Sequence, residues 1–131
     1  MAFGAPFIHH IALFASNFAI SEGVYTAALR ELDIEALFRT ADTAEYWLKT
    51  EDRLSFSLEQ APRPDSVTRG FHMAFAARDR NSVHRFHDAA VSNGAQSTHA
   101  PRFWPEYRAY CAFLHDPDGN NIEAVHKETS P

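Results

Sequence analysis

Two histidines and one glutamate stand at related places in the sequence and form a set that could bind a metal ion. His10 and His72 each lie at the start of an apolar run, and Glu123 lies in a third run near the end of the chain. Two neutral imidazoles and a carboxylate suit Fe, Mn, Ni, Co or Zn as divalent ions and leave positions open for water or substrate. The alternative is that these side chains only form hydrogen bonds within a polar pocket.

An internal repeat accounts for the spacing of the two histidines. The segment HIALFASNFAISEGVYTAAL from His10 overlies HMAFAARDRNSVHRFHDAAV from His72 without a gap. A single duplication of about 60 residues indicates two modules related by a pseudo-twofold axis. The predicted division is module one at about 5–60, a linker at about 61–69 and module two at about 70–128, within one domain of residues 1–131.

Each half of the sequence has the pattern of one strand, one helix and three further strands. The runs Phe7–Ala15 and Phe71–Ala77 have the residue types of buried strands. Apolar stripes predict helices over Ile20–Leu32 and Ser82–Ser92. Three short strand-like runs follow each helix, and a loop is predicted at Pro101–Pro105. The predicted fold is α+β, with two βαβββ modules.

Strand alternation decides which side chains share a surface. Because successive residues point to opposite faces, His10, His72 and Glu123 are predicted on the faces turned away from the helices. Aligning the last strands of the two modules places Ser57 opposite Glu123, so module one offers a hydroxyl there. Glu59 follows on the same face, as a ligand or proton-transfer group if the strand bulges, or as a solvated carboxylate otherwise.

Aromatic residues in the same region could contact a ligand, or could simply pack in the core. The candidates for substrate binding are Trp47, Trp104, Tyr107, Tyr110 and Phe113, together with Ser57.

Composition excludes several classes of function. The formal net charge is −5 and no basic run is present, which disfavours binding to nucleic acid or to an anionic membrane. No apolar run is long enough to span a bilayer. The single cysteine, Cys111, cannot form a disulfide within the chain, and a cytoplasmic location is expected.

The paired histidines and the segment AFLHDPDGNNIEAVH, Ala112 to His126, resemble the glyoxalase, bleomycin-resistance and extradiol-dioxygenase superfamily, also called vicinal oxygen chelate proteins. The likeness covers nearly the whole chain and is similar to a glyoxalase-like bacterial subgroup. It implies a divalent-metal-dependent lyase or isomerase that acts on a small oxygen-chelating molecule and forms a homodimer.

The same resemblance leaves other activities open. Glyoxalases of this superfamily bind their metal with four protein ligands, and Ser57 replaces one of them here. Extradiol dioxygenases use the set matching His10, His72 and Glu123, but their acid–base histidine and tyrosine correspond to Trp104 and Phe113. Metal-free members bind antibiotics in an aromatic cleft between subunits.

Overall fold

A computed structural model describes residues 7–50 and 54–128, which form two modules of the same design. Module one contains β1 (Ile11–Ala15), α1 (Phe18–Arg30), β2 (Ile34–Arg39), β3 (Thr43–Leu48) and β4 (Leu54–Gln60). Module two follows a one-turn 3₁₀ helix (Pro64–Ser66) and contains β5 (His72–Ala76), α2 (Arg80–Ser92), β6 (Gln96–Trp104), β7 (Ala109–His115) and β8 (Asn121–Lys127).

Each module forms a four-stranded mixed sheet, and the two sheets have matching topology. The strand orders are β1-β4-β3-β2 and β5-β8-β7-β6, with the first strand parallel to the last strand of its module. Ala12 pairs with Ser57 in module one, and Ala74 pairs with Glu123 in module two. The predicted α+β fold of two βαβββ modules is confirmed, and Ser57 occupies the place that corresponds to Glu123.

The helices begin where polar side chains cap them. Asn17 accepts a hydrogen bond from the backbone N–H of Ile20 at 3.2 Å, so α1 begins at Phe18, two residues earlier than predicted. Asp79 caps α2 in the same way by accepting from the N–H of Ser82 at 2.7 Å. Within the described residues, neither helix is long and apolar enough to cross a membrane.

The first strand is shorter than predicted. It begins at Ile11, whereas the sequence pattern suggested a start at Phe7. Residues 7–10 precede the strand and are exposed. The parity argument for His10 therefore does not apply, because alternation holds only within a strand.

The loop predicted at Pro101–Pro105 is wrong for most of its length, because β6 continues to Trp104. The strand is at the edge of its sheet, and its register shifts between Ser97 and His99 and again between His99 and Arg102. Pro101 falls inside the second shift. An edge strand with a bulge tolerates proline because the missing N–H would not have joined the ladder.

One hydrophobic core lies between the sheets and the helices and includes residues of both modules. The helix α1 packs against α2, and Phe56 meets Phe75 across the modules with their ring centroids 5.7 Å apart. The large side chains that are fully buried in this core include Leu13, Val24, Leu29, Tyr46, Leu58, Val83, Phe86, Leu114 and Ile122.

A polar joint in the turn between β7 and β8 also connects the modules. The hydroxyl of Tyr25 on α1 donates to Asp116 at 2.6 Å, and both groups are buried. Ser16 donates to Asp118 from its backbone N–H at 2.9 Å and from its hydroxyl at 2.5 Å. Gly119 completes the tight turn that starts at Asp116 and has a φ of +86°.

The buried tyrosines make the stability of the protein sensitive to alkaline pH. Burial, followed by the charge of Asp116, raises the pKa of Tyr25 above the ordinary value of 10.0, and burial raises the pKa of Tyr46 to about 12. The folded state thus holds protons that the unfolded state releases, so stability is intact below pH 10 and falls as pH rises above it.

We expect urea unfolding to show a lower free energy at pH 11 than at pH 9, with a slope of at most about 1.4 kcal/mol per pH unit for each tyrosine. The variant Tyr25→Phe should show a shallower slope than the wild type. Equal slopes for the two proteins would contradict this explanation.

Candidate functional site

The surface that could do chemistry is the face of the module two sheet turned away from α2. In β7 and β8 the side chains of Leu114 and Ile122 enter the core, so their neighbours project from the opposite face. This face carries His72 from β5, Phe113 from β7 and Glu123 from β8, and Phe113 pairs directly with Glu123. The alternation of side chains along the strands predicted this placement of His72 and Glu123.

His72 and Glu123 form a close pair at the centre of this face. The Nε2 atom of His72 lies 3.2 Å from Oε1 of Glu123, while Nδ1 lies 3.1 Å from the carbonyl oxygen of Asn121. A carbonyl oxygen can only accept, so Nδ1 carries the hydrogen and Nε2 of a neutral imidazole presents a lone pair. That lone pair faces a carboxylate oxygen. The pair is therefore stable only with a proton or a metal cation between the two atoms.

The dimensions of the pair fit a metal ion. Two ligand atoms about 2.1 Å from one ion lie about 3.0–3.4 Å apart when the angle at the ion is that of an octahedron or a tetrahedron. The bond from Nδ1 to a backbone carbonyl is the usual outer contact of a metal-binding histidine. Both features suit a divalent ion held by His72 and Glu123.

The carboxyl group of Glu123 lies in a partly dehydrated setting. Its residue is 7% exposed, and burial raises its pKa above the ordinary value, while Cys111 and His72 act in the opposite direction. Cys111 is fully buried beside it, and burial raises the pKa of the thiol to about 12. The thiol therefore stays protonated at neutral pH and is not a nucleophile.

An aromatic cavity of about 310 Å³ adjoins this pair. It is lined by Thr98, His99, Trp104, Tyr107, Phe113, His115 and Asn121. Three predicted ligand-binding residues, Trp104, Tyr107 and Phe113, thus lie together. The ring of Phe113 also stacks against His72 with centroids 6.3 Å apart, which joins the cavity to the pair.

Sequence reasoning missed the role of His99 in this cavity. Its ring centroid lies 5.3 Å from that of Trp104 and 5.6 Å from that of Phe113. The alternation of side chains between the two faces of the sheet is broken by the two register shifts of β6, so it does not give the direction of His99. Pro101 also suggests a loop. No other sequence signal indicates its place opposite Phe113 in the sheet.

The corresponding face of module one carries the other predicted site residues. Ser57 is buried, and its hydroxyl donates to Glu59 at 3.4 Å. Alternation in β3 and β4 places Glu45, which pairs with Ser57, and the half-buried Trp47 on this same face. These residues belong to a different sheet from His72 and Glu123.

Two predicted site residues lie elsewhere. His10 is exposed ahead of β1, with its Nδ1 atom 2.9 Å from Nδ1 of His9. Tyr110 is on the helix side of its sheet, where its hydroxyl is 2.7 Å from His84 and Arg80 lies over its ring. Within residues 7–50 and 54–128, no three side chains of His, Cys, Asp or Glu converge as a metal site would require.

The chain belongs to the glyoxalase/bleomycin resistance protein/dioxygenase superfamily, whose sequence pattern matches residues 7–124. No curated protein sequence matches the chain significantly. The assignment rests on this match together with the paired βαβββ sheets.

Solved structures agree with the family. A glyoxalase/bleomycin resistance protein from Albidiferax ferrireducens is 25% identical, with a TM-score of 0.78, and the match covers 92% of this chain and 98% of that one. A glyoxalase-related enzyme from Fulvimarina pelagi is 16% identical, with a TM-score of 0.69 and coverage of 91% and 86%. Lactoylglutathione lyase from Agrobacterium tumefaciens is 20% identical, with a TM-score of 0.63 and coverage of 92% and 94%. The last two similarities concern the fold.

Proposed function

We propose that the protein is a divalent-metal-dependent lyase or isomerase that acts on a small substrate offering two oxygen atoms. The observation that carries this proposal is the 3.2 Å approach of Nε2 of His72 to Oε1 of Glu123. A bound ion would act as a Lewis acid on the substrate oxygens. The identity of the ion is left open among Fe, Mn, Ni, Co and Zn, all of which accept imidazole and carboxylate.

The residues of this chain would divide the remaining work. The carbonyl of Asn121 holds the imidazole of His72 in the tautomer that leaves Nε2 free. The aromatic cavity excludes water from one side of the pair and orients the substrate. Glu59, held by the hydroxyl of Ser57, is the proposed proton-transfer group, and Trp47 on the same face is a proposed substrate contact; both lie on module one and would reach the pair from a second copy of the chain.

His10 is the proposed third ligand, and we propose that a second copy of the chain supplies it in a homodimer. His10 stands apart from the pair in its own chain and is exposed, and the side chain of His72 is 52% exposed. A second module one could therefore reach the face of module two. With its single buried cysteine, such a dimer suits the reducing cytoplasm.

The test of the proposal is metal binding by protein first treated with a chelator. Equilibrium dialysis against Mn²⁺, Zn²⁺, Ni²⁺, Co²⁺ and anaerobic Fe²⁺ should give one ion per chain at micromolar concentration for at least one metal. The variant His84→Ala, which alters a histidine on the helix side, should bind the same amount. Failure of all five ions to bind would sink the proposal.

A mixing experiment tests the shared site. His10→Ala and His72→Ala should each bind weakly as pure proteins. After the two are unfolded and refolded together, mixed dimers would hold one intact site, and about a quarter of the wild-type binding should return. No recovery would place His10 outside the site or within the same chain.

Two other functions remain candidates for specific reasons. His99 faces the cavity beside Trp104, so an acid–base histidine is available for extradiol dioxygenase chemistry. Anaerobic loading with Fe²⁺ followed by catechol and air should then consume oxygen. The aromatic cavity itself favours a metal-free binding protein for an antibiotic or other small molecule, which would bind its ligand in the presence of chelator.

A further inference from the structure

The face of module two that carries the cavity is rich in basic side chains, although the protein has a net charge of −5. Arg102 pairs with Cys111 across the sheet, and Lys127 lies at the end of β8, so both belong to this face. His99 and His115 line the cavity itself. In the described strands of this face Glu123 is the only carboxylate, and His72 already pairs with it.

The walls of the cavity suit one flat ring. His99 and Trp104 each meet Phe113 nearly edge to face, at interplanar angles of 77° and 78°. Tyr107 stacks on Trp104 at 28° with centroids 5.9 Å apart. These rings contact one another and form an aromatic surface on which a guest ring can pack by its face or its edge. A volume of about 310 Å³ is at the small end of ligand pockets, so a molecule with a single ring fits best.

Two cationic side chains at the border of the cavity favour a ligand with a negative charge. The guanidinium carbon of Arg102 lies 3.3 Å from the centroid of the Trp104 ring, so this ring already holds a cation. Arg102 uses one N–H for the carbonyl of Phe103 at 3.0 Å, and among residues 7–50 and 54–128 its guanidinium has no other hydrogen-bond partner, so further donors can face a ligand. Lys127 donates to the carbonyl of Tyr107 at 2.7 Å. A cationic guest would meet like charge here, whereas a carboxylate would meet donors.

We propose that this cavity binds an aromatic carboxylate with one ring, with the ring packed against the cluster of His99, Trp104 and Phe113 and the carboxylate directed to Arg102. As a statement of substrate class the inference rests on the proposed function. As a statement about binding it does not, because the cavity and its cations lie beside the His72–Glu123 pair and need no metal.

Calorimetry on the chelator-treated full chain with matched ligands tests this inference. Benzoate should bind at one molecule per chain with a Kd of about 1 mM or below. Benzamidine, with the same ring and the opposite charge, and cyclohexanecarboxylate, with the same charge and no aromatic ring, should each bind at least about tenfold more weakly.

Two variants test separately the contribution of the cation and that of the aromatic ring to ligand binding. Arg102→Gln should weaken benzoate binding by about tenfold without weakening benzamidine binding, and Trp104→Ala should weaken both. Arg63→Gln in the linker is the matched control for loss of one positive charge and should leave both unchanged. Equal affinity for benzoate and benzamidine, or full benzoate affinity in Arg102→Gln, would overturn the inference.

The two proposals fail in distinguishable ways. Benzoate binding by a protein that takes up none of the five metals would support the cavity assignment and remove the metal-dependent function. Metal uptake without benzoate binding would do the reverse.

Discussion

Replacing Asp116 with alanine is expected to lower the free energy of unfolding by about 3–5 kcal/mol. The residue is 4% exposed, and its carboxylate is the hub of the polar joint between the modules. It accepts from the hydroxyl of Tyr25 at 2.6 Å and from the backbone N–H groups of Asp118 and Asn120, each at 2.9 Å. The side-chain amide of Asn120 adds a fourth bond at 3.0 Å. Alanine would leave three buried donors without a partner, and the Asn120 amide would keep only its bond to the carbonyl of Thr68 at 2.9 Å. Each such loss is costly.

Urea unfolding at neutral pH measures the effect. Asp65→Ala is the matched control, because the Asp65 side chain is 80% exposed in the linker, and its substitution should change stability by less than about 0.5 kcal/mol. Tyr25→Phe removes one donor together with its bond and should cost about 1–2 kcal/mol. A loss below about 1 kcal/mol for Asp116→Ala would show that the joint does not hold the modules together.

The repeat is the reason that so much of the fold could be predicted. Once His10 was aligned with His72, one pattern of strand, helix and three strands served both halves, and period-two alternation gave the face of each side chain. The pairing of Ala12 with Ser57 and of Ala74 with Glu123 reproduces that alignment. Alternation within regular strands is a local property, so it can be counted along the sequence.

Irregular backbone and contacts distant in sequence could not be predicted in the same way. Two register shifts in β6 hide the direction of His99, and His10 lies outside β1, where strand alternation gives no direction. The bond from Tyr25 to Asp116 joins residues 91 positions apart, and no short-range pattern signals it. Whether His10 meets the His72–Glu123 pair depends on association between chains, which a single sequence does not specify.

Replacing Glu123 with glutamine is expected to reduce metal affinity by about 100-fold or more while the fold is kept. Removal of an outer partner of a metal ligand already costs about 10–100-fold, and this change removes a charged ligand itself. The amide N–H of glutamine can donate to the Nε2 lone pair of His72, so the pair satisfies its hydrogen bonds without a cation. Because burial raises the pKa of Glu123, the neutral amide also avoids the cost of a buried charge.

Dialysis against the metal that binds the wild type, combined with urea unfolding, separates the two effects. Glu123→Gln should lose the ion and unfold at the same urea concentration as the wild type or a higher one. Glu45→Gln, a carboxylate on the matching face of module one, is the control and should change metal affinity by less than about threefold, because Glu45 is not part of the proposed ligand set. Metal affinity within threefold of the wild type in Glu123→Gln would mean that a proton, and not a metal ion, bridges Nε2 of His72 and Oε1 of Glu123.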